Sequence, residues 1–264
     1  MKRALLHVAL LATLALGAAH AARERRAAGE QPAAAYATSQ AAALAPATST
    51  RRHPRTGTKP DITVTEAALA GALSGDSEET RTRIRRGEQG TYIGEVLLGR
   101  DSALTRWRER VEDPLRVWVA DGAAIADWHA EFKGQVRDAF DQWARLGIPV
   151  RFTFVVDSAD ADIRVAWTDH FDEAISGKTL WSRDRRWWIV GGNITLALHH
   201  NKGEALDGAS IRAIALHEVG HLLGLDHTSD TSNIMTARVR VRELSDADRA
   251  TIRLLYSLPA GSIK

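Results

Sequence analysis

The chain has 264 residues, enough for one good-sized domain with extra segments, and its 44% hydrophobic content suits a globular protein. It contains no cysteine, which excludes disulfides and a cysteine-linked lipid anchor. The formal net charge is +2, but residues 113–264 hold 18 Lys+Arg against 21 Asp+Glu, leaving residues 1–112 with 17 of the 35 basic and 12 of the 33 acidic residues, so the basic excess lies upstream and nucleic-acid binding is not indicated.

In chain order, a basic Met-Lys-Arg start precedes an apolar stretch from Ala4 to about Ala18 and then Ala19-His20-Ala21. A positive n-region, an h-region shorter than a membrane span and an A-x-A site read as a signal peptide over residues 1–21. A secreted or periplasmic product follows, with no stable membrane insertion after cleavage. Residues 22–60 are rich in Ala, Thr, Ser, Arg and Pro and read as loosely held. Between 61 and 112 we expect a short helix at Thr63–Ala72, a basic cluster at Arg81–Arg86, and a strand over Thr91–Leu98 ahead of Trp107. Residues 22–112 are accordingly assigned to a low-complexity, propeptide or linker segment.

From Pro114 the pattern is that of a compact α/β unit. Leu115–Val119 alternates as a half-buried strand does. Phe132, Val136, Phe140, Trp143 and Ala144 recur at helical spacing, so a helix is expected over about 124–145, ending near Gly147-Ile148-Pro149. Strands are expected at Val150–Val156, Ala161–Trp167, Thr179–Asp184 and Trp188–Leu198, the last broken by Gly191-Gly192. A helix from about Ser210 to Leu223 and a final one opened by Ser245-Asp246-Ala247-Asp248 complete the unit, which ends near residue 257 and leaves 258–264 as a tail. The chain's eight Trp residues read as core anchors.

The run His217 to His227 carries the chemistry. His217 and His221 are four apart, which on a helix places both imidazoles on one face, close enough to share a metal ion. Glu218 points to the neighbouring side, where it can reach a water at the metal without being a ligand. Gly224 can take positive φ and turn the chain sharply, bringing His227 back as a third ligand. Three neutral nitrogens leave a fourth position open on zinc, as a catalytic site requires. The spacing is H-E-x-x-H-x-x-G-x-x-H, the metzincin signature, with a chance expectation of roughly 10⁻⁴ per chain from composition.

These residues resemble the matrixins, the metzincin branch that includes the matrix metalloproteinases, and specifically its short secreted bacterial members. The resemblance covers about residues 113–257. It rests on His217–His227, on Ser232-Asn233-Ile234-Met235 at the place of the family's Met-turn, on Leu244–Asp248 with Leu255-Tyr256, and on Ala139–Trp143 with Phe152 and Ala161–Ile163. It implies a metzincin catalytic domain of the α/β (α+β) class: a twisted, mostly parallel sheet of about five strands with one antiparallel edge strand, three main helices, and an active-site cleft between upper and lower subdomains. It implies further one catalytic zinc on His217, His221 and His227, Glu218 as general base and acid, and Met235 as a hydrophobic floor that does not bind metal. A polypeptide substrate pairing with the strand near Ile194–Leu198 and a monomeric enzyme are expected.

Several positions depart from the family. Thr236-Ala237 follows Met235 where Tyr-Pro is usual, and Arg238, Arg240 and Arg242 alternate with Val239 and Val241, which reads as a solvated loop face. Asp169-His170-Phe171-Asp172 resembles the opening of the second, structural zinc site of animal members, but two ligands do not close such a site, so His170 and Asp172 read as loop residues. Asp157, Asp160 and Asp162 offer the hard oxygens calcium takes, and a solvated turn explains them equally. Without cysteine the family's thiol latency is excluded; were residues 22–112 inhibitory, a carboxylate such as Asp76 or Asp101 could take the thiol's place, and a plain linker or accessory segment accounts for the stretch equally well. The competing reading, a non-catalytic secreted zinc-binding module on the same fold, leaves Glu218 without a purpose.

Overall fold

A computed structural model describes residues 66–264, with side chains from Ser77 onward. The signal peptide expected at 1–21, the loosely held stretch at 22–60 and the Asp76 side chain lie outside the described residues.

Among the described residues the sheet is built from β2 (Arg106–Trp107), β3 (Arg110–Val119), β4 (Val150–Phe154), β5 (Ile163–Thr168), β6 (Gly177–Arg183) and β7 (Trp188–Ala197). The path β4-β3-β5-β7 is parallel throughout, and β6 pairs antiparallel with β7 at the edge. The expected five-strand arrangement with one antiparallel edge is therefore present, and the two-residue β2 adds a short parallel pairing at Trp188 and Ile189. β7 runs unbroken through Gly191 and Gly192 rather than being split there. A Cβ at Gly192 would come within 2.4 Å of Leu222 Cδ1, so glycine lets the helix beneath approach the sheet closely.

Two helices, α3 (Phe132–Ala144) and α4 (Gly208–Leu222), pack on this sheet, and α5 (Asp246–Ser257) joins the same hydrophobic core. In α3, Phe132, Val136, Ala139, Phe140 and Trp143 form one buried stripe. It starts later than the spacing suggested because Asp127 sits at φ 58, which a helix cannot accommodate. α4 is buried on almost every side, Ile211 and Ala213–Gly220 included, and lies against α3, β6 and β7. Asp207 opens it, accepting a hydrogen bond from the Ser210 amide at 2.7 Å. α5 begins with a complete capping box between Ser245 and Asp248.

The compact unit begins well before residue 113. α1 (Glu66–Gly87) and α2 (Ile93–Gly99) precede the strand β1 (Ala103–Leu104), which pairs antiparallel with β8 (Gly261–Ser262). The stretch expected as a strand over Thr91–Leu98 is thus mostly helical: Ile93 and Val96 of this short helix are buried, as is Tyr92 at its N-cap. Ile84, Leu104 and Trp107 join the same hydrophobic core as α3, α4 and α5. Arg81 and Arg83 of the basic cluster donate to the Ile263 and Ser257 carbonyls, fastening α1 to the chain's end. Residues 80–107 and 258–262, read from composition as linker and tail, are packed parts of the fold. No described helix is long and apolar enough to cross a membrane.

Candidate metal centre

The C-terminal half of α4 carries the site, and donors from three separate elements bond to its carbonyls, two of them at the helix end. The Trp107 indole donates to the Leu222 carbonyl at 2.9 Å, the Trp143 indole to Leu216 at 2.9 Å, and the Tyr256 hydroxyl to Leu223 at 3.1 Å. The Leu222 and Leu223 carbonyls, which the helix end leaves unpaired, are thereby satisfied in the protein interior, while Leu216 lies within the helix. Gly224 follows at φ +105, and a Cβ there would lie 2.0 Å from the Thr105 carbonyl oxygen. Both the backbone conformation and the contact demand glycine.

That turn returns His227 to the helix. The three Nε2 atoms converge, with His217 and His221 3.0 Å apart, His221 and His227 3.1 Å, and His217 and His227 3.3 Å. His217 Nδ1 lies 2.8 Å from the Ile234 carbonyl and His221 Nδ1 3.1 Å from that of Leu225. A carbonyl can only accept, so both Nδ1 atoms carry the proton and both Nε2 atoms present lone pairs inward. Burial pushes the imidazoles toward the neutral form, His217 down to about 4 and His221 and His227 below the ordinary histidine value. Lone pairs aimed at one point are what a shared cation resolves. Three nitrogens about 2.0–2.1 Å from a tetrahedral zinc would lie about 3.3 Å apart, which this donor set fits.

Glu218 is buried on the neighbouring side of α4. Burial pushes its carboxyl up to about 7, and the hydroxyl of Thr179 opposes the shift, donating to Oε2 at 2.6 Å. A Cβ at Gly177 would lie 2.4 Å from Oε1, so the start of β6 is shaped around this carboxylate. Thr179 and Gly177 carry no signal in the sequence that marks them as neighbours of Glu218. The substrate-pairing edge also moves: β7 has β5 and β6 on its two sides, so Ile194–Leu198 is interior, and β6 is the strand at the sheet's edge beside Glu218.

Met235 is fully buried. A Cβ at Gly220 would meet its Sδ at 2.3 Å, so the glycine between the first two histidines is what lets the thioether sit there. The Met235 carbonyl accepts from the Thr228 amide at 3.0 Å, tying this turn to the residue after His227. Behind it, the buried Asp248 accepts from the Ile234 amide at 2.9 Å, from Ser245, and from the Tyr92 hydroxyl at 2.9 Å. The capping pattern marks Asp248 in the sequence; its hold on the Met235 turn does not show there.

The family model for matrixins matches residues 126–257, half of the 264-residue chain and the region that contains His217, His221 and His227. The chain belongs to the matrixin family. Metalloendoproteinase 1 of Glycine max is 29% identical over 146 residues, 48% of this chain and 46% of that protein. Metalloendoproteinase 1-MMP of Arabidopsis thaliana is 30% identical over 139 residues, 48% of this matrixin and 38% of the plant protein. Human neutrophil collagenase is 27% identical over 154 residues, 51% of this chain and 27% of the collagenase. The match thus spans less than half the length of each of these relatives.

Other candidate ligands in this matrixin do not assemble. Among the described residues, the group of three His, Cys, Asp or Glu side chains whose ligand atoms lie within 4.8 Å of one another is His217, His221 and His227. Asp157 caps a 3-10 turn by accepting from the Ala159 amide, and Asp162 is bound to Arg116, so of the two readings offered for Asp157, Asp160 and Asp162 the turn is the one these contacts support. His170 Nδ1 instead lies 2.6 Å from Asp169, which also lies 2.9 Å from His199 Nδ1. Asp101 pairs with Lys264. Arg238, Arg240 and Arg242 are exposed while Val239 and Val241 pack inward, as the alternation suggested.

Proposed function

We propose that this matrixin is an exported zinc-dependent endopeptidase acting on polypeptides as a monomer. The observation that carries the reading is the convergence of three neutral imidazole nitrogens beside one buried carboxylate, next to an edge strand. His217, His221 and His227 would hold the zinc through Nε2, with Met235 as the floor beneath them. When bound, zinc supplies a Lewis acid that polarises the scissile carbonyl, lowers the pKa of water and stabilises the developing oxyanion. Glu218 accepts a proton from the attacking water and later delivers it to the leaving amine. A carboxyl held near neutrality by its surroundings suits both halves of that exchange. β6 offers its outer edge to an extended segment, which favours unfolded or loop substrates. Export rests on the basic, apolar and A-x-A pattern of residues 1–21.

The test is a casein or gelatin digest by the purified full chain, with zinc content measured on the same preparation. Cleavage that requires zinc and disappears in Glu218→Ala with zinc retained supports the reading. Zinc bound without cleavage of any unfolded polypeptide would replace it with the zinc-binding module.

A further inference from the structure

Arg100 lies upstream of the family-matched region, in the segment just after α2, yet its side chain reaches the loop between the second and third histidines. Its Nη2 donates to the Leu225 carbonyl at 2.9 Å and its Nε to Asp226 Oδ2 at 3.1 Å. Those two acceptors are the residues that set the neighbouring ligands. The Leu225 carbonyl is the one that receives His221 Nδ1, and Asp226 Oδ1 accepts the His227 backbone amide at 2.8 Å. The guanidinium also lies 4.6 Å from the ring centre of Trp181 on β6. Only 14% of the Arg100 side chain is exposed. Gly99 makes the approach feasible, since a Cβ there would fall 2.6 Å from Asp226 Oδ2.

A planar fork can satisfy a carbonyl and a carboxylate at once, which a point-charge ammonium does less well. Groups one bond removed from a metal ligand fix its tautomer and orientation, and losing them typically weakens metal binding about 10–100-fold. Charge alone would act the other way, because a cation beside His221 and His227 repels a second cation. The sign of the effect therefore separates the two roles.

We infer that Arg100 is a positioning residue of the metal centre, clasping Leu225 and Asp226 so that His221 and His227 present their Nε2 atoms to a common ion. The inference rests on the zinc reading proposed above. The experiment is zinc affinity of the full chain by competition with a chelator, for the native protein, Arg100→Met and Arg100→Lys. Both substitutions are expected to weaken binding about 10–100-fold, the lysine despite its retained charge. Unchanged or tighter binding in Arg100→Met overturns the inference. Should that variant not fold, Arg100→Lys decides: it keeps the charge and loses the planar fork, so native affinity there overturns the inference and weakened affinity supports it. Native protein that binds no zinc sinks the proposed function itself.

Discussion

Two stretches of this chain meet at the same few cubic ångströms and differ in how they get there. Residues 217–227 carry three histidines, Glu218 and the glycine turn within one helix end and one loop, so their geometry is local. Residues 92–107 contribute none of those groups, but supply Tyr92 to Asp248, Glu95 to Thr228 and Ser229, Arg100 to Leu225 and Asp226, Thr105 to the Gly224 turn, and Trp107 to Leu222. The first stretch holds the chemistry and the second holds the first in place. A motif of eleven residues thus names an activity, while its working geometry depends on a segment more than a hundred residues earlier in the chain.

The most severe test of this division is to remove the support. A fragment starting at residue 113 loses Ile93, Val96 and Leu104, each worth about 1.5–3 kcal/mol when fully buried, along with Trp107. Against a domain stability of about 5–15 kcal/mol, the fragment is expected to be insoluble or unfolded even with zinc, as solubility and circular dichroism would report. A folded, zinc-binding fragment would make the motif region self-sufficient and end the comparison. Glu218→Gln should spare both regions and remove only the proton transfer. Its peptidase rate is expected to fall about 10²- to 10⁴-fold with zinc content and unfolding midpoint unchanged.

Trp107→Phe sharpens the comparison at a single side chain. It removes the indole donor to Leu222 together with part of a fully buried ring, so the unpaired helix-end carbonyl costs about 1–3 kcal/mol in denaturant unfolding and the cavity adds to that loss. The smallest expected effect lies on the far side of β7, outside both stretches. His199 Nε2 is 2.9 Å from Asp127 and Nδ1 2.9 Å from Asp169, and the Asp127 contact leads in raising the His199 pKa above its ordinary value. A raised folded pKa stabilises the protein fully below the unfolded value of about 6.5, and the gain is lost as pH rises through the folded value. The stability difference between native protein and His199→Asn should therefore shrink from pH ~5.5 to ~8, because the lost term belongs to the imidazolium. A gap that is constant with pH would show that these contacts do not favour the charged ring.

The sequence made legible what depends on neighbours along the chain. Helical spacing, the positive-φ glycine and the Ser245–Asp248 cap appear in the structure where periodicity placed them, because each is decided within a few residues. Errors came where distant partners decide. Tyr92, Ile93 and Val96 carry strand-forming side chains, yet one buried helical turn lets Tyr92 reach Asp248 and Glu95 reach Thr228. Gly191 and Gly192 resembled a break, whereas at Gly192 the missing side chain makes room for Leu222. Thr179 had no local mark at all, since its role comes from β6 folding back along β7 to lie beside Glu218.

The pairing of β1 with β8 restricts how this matrixin can mature. Ala103 and Leu104 lie against Ser262 and Gly261, and the Ser102 carbonyl accepts from the Ile263 amide at 2.9 Å, so the chain's last residues are zipped to the segment just ahead of the catalytic region. A processing protease cutting just after Leu104 would leave the two halves of the clasp on separate pieces, and one cutting between 88 and 102 would sever α1, whose Arg81 and Arg83 donate to the Ile263 and Ser257 carbonyls. Scission that spares the core must fall before the buried Thr80, in contrast to a zymogen whose entire leader detaches. A cut at that point would leave an N-terminus that still carries part of α1.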